Sequence, residues 1–279
     1  MFPPAGTSVV CAVSGGADSL ALLVLAVEAG LDVTAIHVDH GTREGSAAEA
    51  EVVAAAARRF GARFESRAVQ VETGPNLEAR WRAARQSVLP PDAMTGHTLD
   101  DQAETILLNL LRGSASDGLA GIRPGPTKPL LQIRRRETRA LCDASDLVPV
   151  EDPSNVDPAF RRARIRREAL PLLDAIAQRD VAALLARQAD VIREDVTLLD
   201  RIAEERIPDP TDARALNDAP RALARRAVRR WLTGPTGHPL DLASIDRVLA
   251  VARCEVEACE LPGGVRVERS GMRLRATPT

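Results

Sequence analysis

Lysine is nearly absent from this sequence. Lys128 is the only one among 37 lysine and arginine residues, so almost every positive side chain is a guanidinium. Arginine grips phosphate through two parallel N–H donors and stacks on bases; a GC-rich coding sequence produces the same bias with no functional cause. A phosphate loop of the GxxxxGK[ST] kind needs a lysine beside its glycines. Lys128 lies in "PTKPLL", far along the chain from any such turn. Cysteine is also scarce: Cys11, Cys142, Cys254 and Cys259, with no CxxC. Cys254 and Cys259 stand without a nearby His or second pair, so zinc or cluster spacing is missing and core or surface thiols are the reading. No apolar run approaches the roughly 20 residues that span a bilayer. The start, "MFPPAGTS", lacks the charged and apolar regions of a signal peptide. A soluble cytoplasmic protein with no membrane partner is expected. The net charge of −2 gives no global case for nucleic acid, so the distribution of charge has to carry one. No internal repeat is visible.

What is present is a core and an alternation. The 279 residues, 45% hydrophobic, suffice for one large domain or two smaller ones. Strands are predicted at 8–13, 32–38, 62–69 and 92–97, and helices at 18–30, 46–60, 76–88 and 100–112. That alternation predicts an α/β domain with a parallel sheet. After residue 150 the pattern turns helical: 160–206 interrupted by Pro171, a linker at 207–212, helices at 213–232 and 242–253, and a hairpin at 255–277. A smaller, mainly helical C-terminal domain (186–279) therefore follows a first domain of 1–185.

"VVCAVSGGADSLALL" (9–23) runs from a strand through a glycine turn into a helix. Glycines let backbone approach a phosphate, and a helix N-terminus offers free N–H groups. Ser14, Gly15, Gly16, Ala17 and Ser19 would cradle phosphate. Asp18, which would repel phosphate directly, would act through Mg²⁺. The other reading is a tight turn with Ser14 or Asp18 as a helix cap.

"SGGADS" is similar to the SGGxDS signature of the PP-loop ATP pyrophosphatases. Further stretches resemble the tRNA(Ile)-lysidine synthase family over about 8–175: "HVDHGTR", "NLEARWRAAR", "TGHTLDDQAETILLNLLRGSASDGLAGI", "KPLL" and "EDPSN...FRRARIRREALPLL". The chain departs from the family pattern at Trp81, Gln86, Thr98, Ala163 and Thr42. The resemblance implies a PP-loop fold and an AMP-forming ligase. ATP would adenylate the C2 oxygen of the wobble cytidine of a CAU-anticodon isoleucine tRNA, and free lysine would displace AMP. It implies Arg82 and Arg85 against the developing phosphoryl charge, and Asp100 and Asp101 for the lysine ammonium. His97 would polarise phosphate or carry a proton, and His37 would sit against the nucleotide. Each has a plainer reading. Asp101 with Glu104 has capping-box spacing, and Arg82 and Arg85 fit a solvated helix face. His37 with His40 could pair on a metal. Arg161, Arg162, Arg164 and Arg166, with Arg225 and Arg229 further on, fit either RNA-backbone contact or solvated faces. A tRNA thiolase, a diverged PP-loop enzyme with another substrate, or a non-catalytic RNA-binding relative are the alternatives, and a second copy of the chain (a homodimer) is a further partner to consider.

Overall fold

The computed structural model describes residues 2–39, 46–69, 77–151, 160–236 and 240–279. His40 and the "DPSN" segment, singled out above, lie outside them. The chain divides into two compact units: 1–108 with 121–187, and 109–120 with 188–279. The second unit takes in 109–120, which the sequence reading had assigned to the first.

The first unit is built on four parallel strands, β1 (Ser8–Ala12), β2 (Asp32–Asp39), β3 (Arg63–Ala68) and β4 (Met94–Thr95), in the order β3-β2-β1-β4. β1 pairs with β2 from Ser8↔Asp32 to Ala12↔Ile36, and with β4 through Cys11↔Met94 and Ala12↔Thr95. The fourth strand, expected over 92–97, has only two residues because Gly96 and His97 turn away to start the next helix. Helix α1 (Ala17–Glu28) buries Leu20, Leu22, Leu23 and Val24 on nearly all sides, because other helices as well as the sheet pack against it. Helices α2 (Ser46–Phe60) and α3 (Leu77–Val88) follow β2 and β3. Helix α4 (Leu99–Leu111) follows β4, and α5 (Ser116–Leu119) is a single turn counted with the second unit.

Arg135–Ala144, where the sequence pattern predicts no helix, forms α6, packed against α1. Beyond it, α7 (Arg161–Arg164) passes through one π-helical turn (Ile165–Ala169) into α8 (Leu170–Ala177). Pro171 explains the widening: it has no N–H to donate and its ring crowds the carbonyl four residues back. Leu99 and Ala103 of α4 pack with Ile165, Leu170 and Ala182.

Chain order fixes the site. From β1 the chain moves outward to β2 and β3, then returns to the other side of β1 for β4. The winding reverses between β1 and β4. In open α/β sheets ligands bind outside the carboxyl ends of the strands at that reversal.

In the second unit, residues 188–206 of α9 (Val181–Arg206), α10 (Ala213–Asp218), α11 (Arg221–Thr236) and α12 (Leu242–Ala252) share one apolar core with a sheet. The expected helix 213–232 is two helices, separated at Pro220. The expected hairpin is a three-stranded antiparallel sheet: β5 (Ala258–Leu261), β6 (Val265–Ser270) and β7 (Arg273–Pro278).

Candidate active site

The turn after β1 holds its shape from within. Gly15 has φ +88°, a conformation open to glycine, and its carbonyl accepts from the Val150 N–H at 2.9 Å. Ser19 is buried; its hydroxyl donates to the Gly16 carbonyl at 2.9 Å and accepts from the Ser14 N–H at 3.1 Å. Ser19 therefore shapes the loop, whereas Ser14 is exposed at its rim. No side chain caps α1 at Gly16. The Ala17 and Asp18 N–H groups have no acceptor inside the helix and are the donors a helix start offers to an anion, whereas the Ser19 N–H already donates to the Gly16 carbonyl at 3.0 Å.

The loop after β4 lies directly against this turn. A Cβ on Gly96 would sit 2.6 Å from the Asp18 carbonyl oxygen, so only glycine lets the two backbones come this close. His97 follows, then Thr98 and α4. Asp101 Oδ2 accepts from the Thr98 N–H at 2.8 Å and from the Thr98 hydroxyl at 3.0 Å. The capping pair is thus Thr98 with Asp101, not Asp101 with Glu104.

Glu104 is fully buried and meets three guanidiniums: Arg135 at 2.9 Å, Arg166 at 2.7 Å and Arg162 at 3.3 Å. Arg135 also reaches Asp101 at 2.8 Å and Asp18 at 3.2 Å. One guanidinium thereby ties α1, α4 and α6 together. Asp18 gives its other oxygen to the Thr138 hydroxyl. Asp100 turns the other way: Arg134 binds it in a fork at 3.0 and 2.9 Å, and the Arg135 N–H donates to it at 2.7 Å. Arg134 also pairs with Asp180. Gln102 and Thr105 complete the block, holding Ile122 and Arg162. Every polar side chain of "DDQAET" fixes a neighbouring segment.

Charge follows the geometry. Burial raises the pKa of Asp18 above the usual carboxylate range, Thr138 and Arg135 only partly opposing it. Burial would raise Asp101 too, but Arg135 and the Thr98 N–H outweigh it and hold it low. Asp100 is held low in the same way, by Arg134 and the Arg135 N–H against burial. Burial alone would lower Arg135, but the carboxylates of Asp101, Glu104 and Asp18 raise it further. His97 is pushed down from 6.5 to about 4, first by burial and then by the charges of Lys128, Arg162 and Arg85, against the pull of Asp101. It is neutral at pH 7, with Nδ1 and the Thr95 hydroxyl 2.7 Å apart.

This shift has a measurable sign. Below 6.5 the unfolded chain protonates His97 and the folded chain does not. The stability it supports is full above 6.5 and is lost as pH falls toward about 4. Asp18, with its raised pKa, acts in the opposite direction. Thermal melts of the parent and His97→Gln isolate the histidine. The parent is expected to lose more stability than the variant between about pH 7 and about pH 5; equal losses would refute the assignment.

Several expected site residues lie elsewhere. His37 is 2% exposed, and its Nδ1 meets the Val13 carbonyl at 3.0 Å. That contact braces the backbone just after β1. Arg162 and Arg166, four apart, face inward to Glu104; Arg161 and Arg164 lie on the exposed side, Arg164 paired with Glu168 at 2.8 Å. Arg225 forks onto Asp246 at 2.8 and 2.7 Å, and Arg229 pairs with Asp117, so both brace the second unit. The side chain of Arg82 lies outside the described residues, while Arg85 is half-buried with its charge bearing on His97. Arg134, Arg135, Thr138 and Lys128 were not foreseen. The signal for the first two was "RRRE" itself: cations opening a helix oppose its dipole and need carboxylates to hold them.

Residues 3–173 match the family model of the PP-loop domain. The tRNA(Ile)-lysidine synthase of Nocardia farcinica is 43% identical, covering 99% of this chain and 90% of its own. This chain belongs to the tRNA(Ile)-lysidine synthase family. The family's member from Rhodococcus erythropolis is 46% identical over 80% of this chain and 73% of its own, and that from Thermobifida fusca 38% identical over 95% and 90%. The PP-loop match spans the whole ionic network around Arg135 except Asp180. Among solved structures, the U34-tRNA thiolase NcsA from Methanococcus maripaludis superposes with a TM-score of 0.56 at 18% identity, over 68% of this chain and 73% of that one. That likeness supports the fold alone. No helix among the described residues is long and apolar enough to cross a membrane.

Proposed function

We propose that this chain is an AMP-forming carbon–nitrogen ligase acting in the cytoplasm on an isoleucine tRNA with a CAU anticodon. ATP adenylates the C2 oxygen of the wobble cytidine and pyrophosphate leaves. The side-chain amine of free lysine then attacks C2, loses a proton, and AMP departs with the former C2 oxygen. The observation that carries this reading is the uncapped N-terminus of α1 behind a glycine turn, at the β1/β4 reversal of a chain whose relatives bear that name. The thiolase alternative is not favoured. The relatives bear the lysidine synthase name, and the cysteine next to the phosphate turn, Cys11, lies buried in β1 with its pKa pushed up to about 12.

The N–H groups from Gly15 to Asp18, with the Ser14 hydroxyl, take the departing pyrophosphate. Arg85, whose charge bears on His97, stabilises the charge that develops as the phosphoryl bond breaks, and Arg82 of the same helix is assigned the same role. Neutral His97, in the tautomer with Nδ1 accepting from Thr95, presents Nε2–H to a phosphate oxygen and is too weak a base to take the lysine proton. Mg²⁺ would enter on the ATP phosphates, where it screens charge. Asp18 is not a ready ligand for it, because Arg135 and Thr138 already occupy its two oxygens. No group of three metal-ligating side chains gathers among the described residues. Of the 161–167 run, Arg161, Arg164 and Arg167 are exposed, Arg164 in an ion pair with Glu168, and are the ones assigned here to RNA phosphate.

The expected lysine pair divides. Asp100 is turned away from His97 into docking α6, while Asp101, though its oxygens are held by Thr98 and Arg135, lies beside His97 and is the carboxylate we assign to the amine, acting through its charge rather than through a vacant oxygen. In steady-state assays of AMP release at saturating ATP and tRNA, Asp101→Asn should raise the KM for lysine. Asp100→Asn should lower thermal stability and leave that KM unchanged. A raised lysine KM in Asp100→Asn alone would overturn the assignment.

A further inference from the structure

The sequence separates Lys128 from the phosphate turn, but the fold brings it to the same crevice. Its loop is pinned at both ends: the Thr127 carbonyl accepts from the β4 Thr95 N–H at 3.0 Å, and the Ile133 carbonyl accepts from the Leu99 N–H at 2.9 Å. Pro126 and Pro129 flank it and stiffen it. The Lys128 ammonium donates to the Thr127 carbonyl at 3.3 Å. The same oxygen lies 3.4 Å from the Thr95 hydroxyl, which is 2.7 Å from His97 Nδ1. The ammonium is therefore one carbonyl away from the Thr95–His97 pair. Its charge bears on His97 together with those of Arg85 and Arg162, which come from two other elements, while Asp101, the carboxylate that pulls the other way, is already held by Arg135.

We infer that Lys128 contacts a phosphate of ATP from the β4 side of the crevice, opposite the glycine turn. This supplies the cation that the turn itself lacks. The contact to Thr127 is long and bends easily toward a stronger acceptor, since a charged hydrogen bond to phosphate exceeds one to a carbonyl. The inference rests on the ligase reading above.

The chain's single lysine makes the test selective. An acetylating reagent that attacks amines can modify only Lys128 and the N-terminus, and peptide mass spectrometry follows each separately. ATP at about ten times its dissociation constant should slow Lys128 acetylation by roughly tenfold and leave the N-terminus unchanged. Equilibrium dialysis with ATP runs alongside. If ATP binds without protecting Lys128, the inference fails and the ligase reading stands. If ATP does not bind, both fail. Protection by tRNA alone, with none from ATP, assigns Lys128 to the RNA backbone and overturns the inference. In kinetics, Lys128→Met should raise the KM for ATP by about tenfold or more with that for lysine unchanged, and Lys128→Arg should restore it. A parallel loss in every parameter would mark Lys128 as merely structural.

Discussion

Glu104→Gln is expected to be the most destabilising single change in the first unit. The substitution keeps the shape and removes the charge on which Arg135, Arg162 and Arg166 converge. Glu104 is fully buried, so water does not replace the lost charge. A buried network has little net worth against an apolar core of equal volume, but removing one partner strands the others at a cost of about 3–5 kcal/mol. The melting temperature should fall by roughly 6–20 °C. Glu104→Asp retains the charge on a shorter arm and should fall between the two. An unchanged midpoint in Glu104→Gln would show that the three arginines do not depend on this carboxylate.

Gly96→Ala should damage catalysis more than stability. The new Cβ would lie 2.6 Å from the Asp18 carbonyl oxygen, 2.8 Å from its carbon and 3.0 Å from the Ser19 nitrogen. All three are backbone atoms and cannot rotate aside. The loops after β1 and β4 must separate, at an overpacking cost of about 1–3 kcal/mol. Those loops carry the phosphate turn and His97. A shift near 1 Å between groups that meet one ligand costs about 100-fold in rate, so AMP formation should drop by that order while the protein stays folded. Gly125→Ala is the control, because nothing lies within 4 Å of a Cβ there. Equal activity in the two variants would mean that the close approach of the two loops is not needed.

The parts legible in the sequence are those with a local cause. A glycine turn between a buried strand and an apolar helix announces the phosphate site, and strand–helix alternation announces the parallel sheet. The apolar stripe of α4 predicts that helix to within a residue or two. What stayed hidden depends on partners distant in sequence. Arg225 looks like a free cation until α12 brings Asp246 to it, and Arg229 until Asp117 arrives from 112 residues away. Arg166 looks exposed until its neighbour Glu104 is found buried. His37 reads as a ligand until the Val13 carbonyl claims its nitrogen. Lys128 was set aside on chain separation alone, and the parallel sheet removes that separation by placing β4 next to β1. In each case the residue type was visible and its partner was not.

The central claim is the joining of lysine to cytidine at the expense of ATP. Its most direct test is mass spectrometry of nucleosides from CAU-anticodon isoleucine tRNA incubated with the full-length protein, ATP and lysine. The account predicts a modified cytidine heavier by one lysine less one water, formed only when ATP and lysine are both present. An unmodified cytidine, or a base in which sulfur has replaced oxygen, would contradict it.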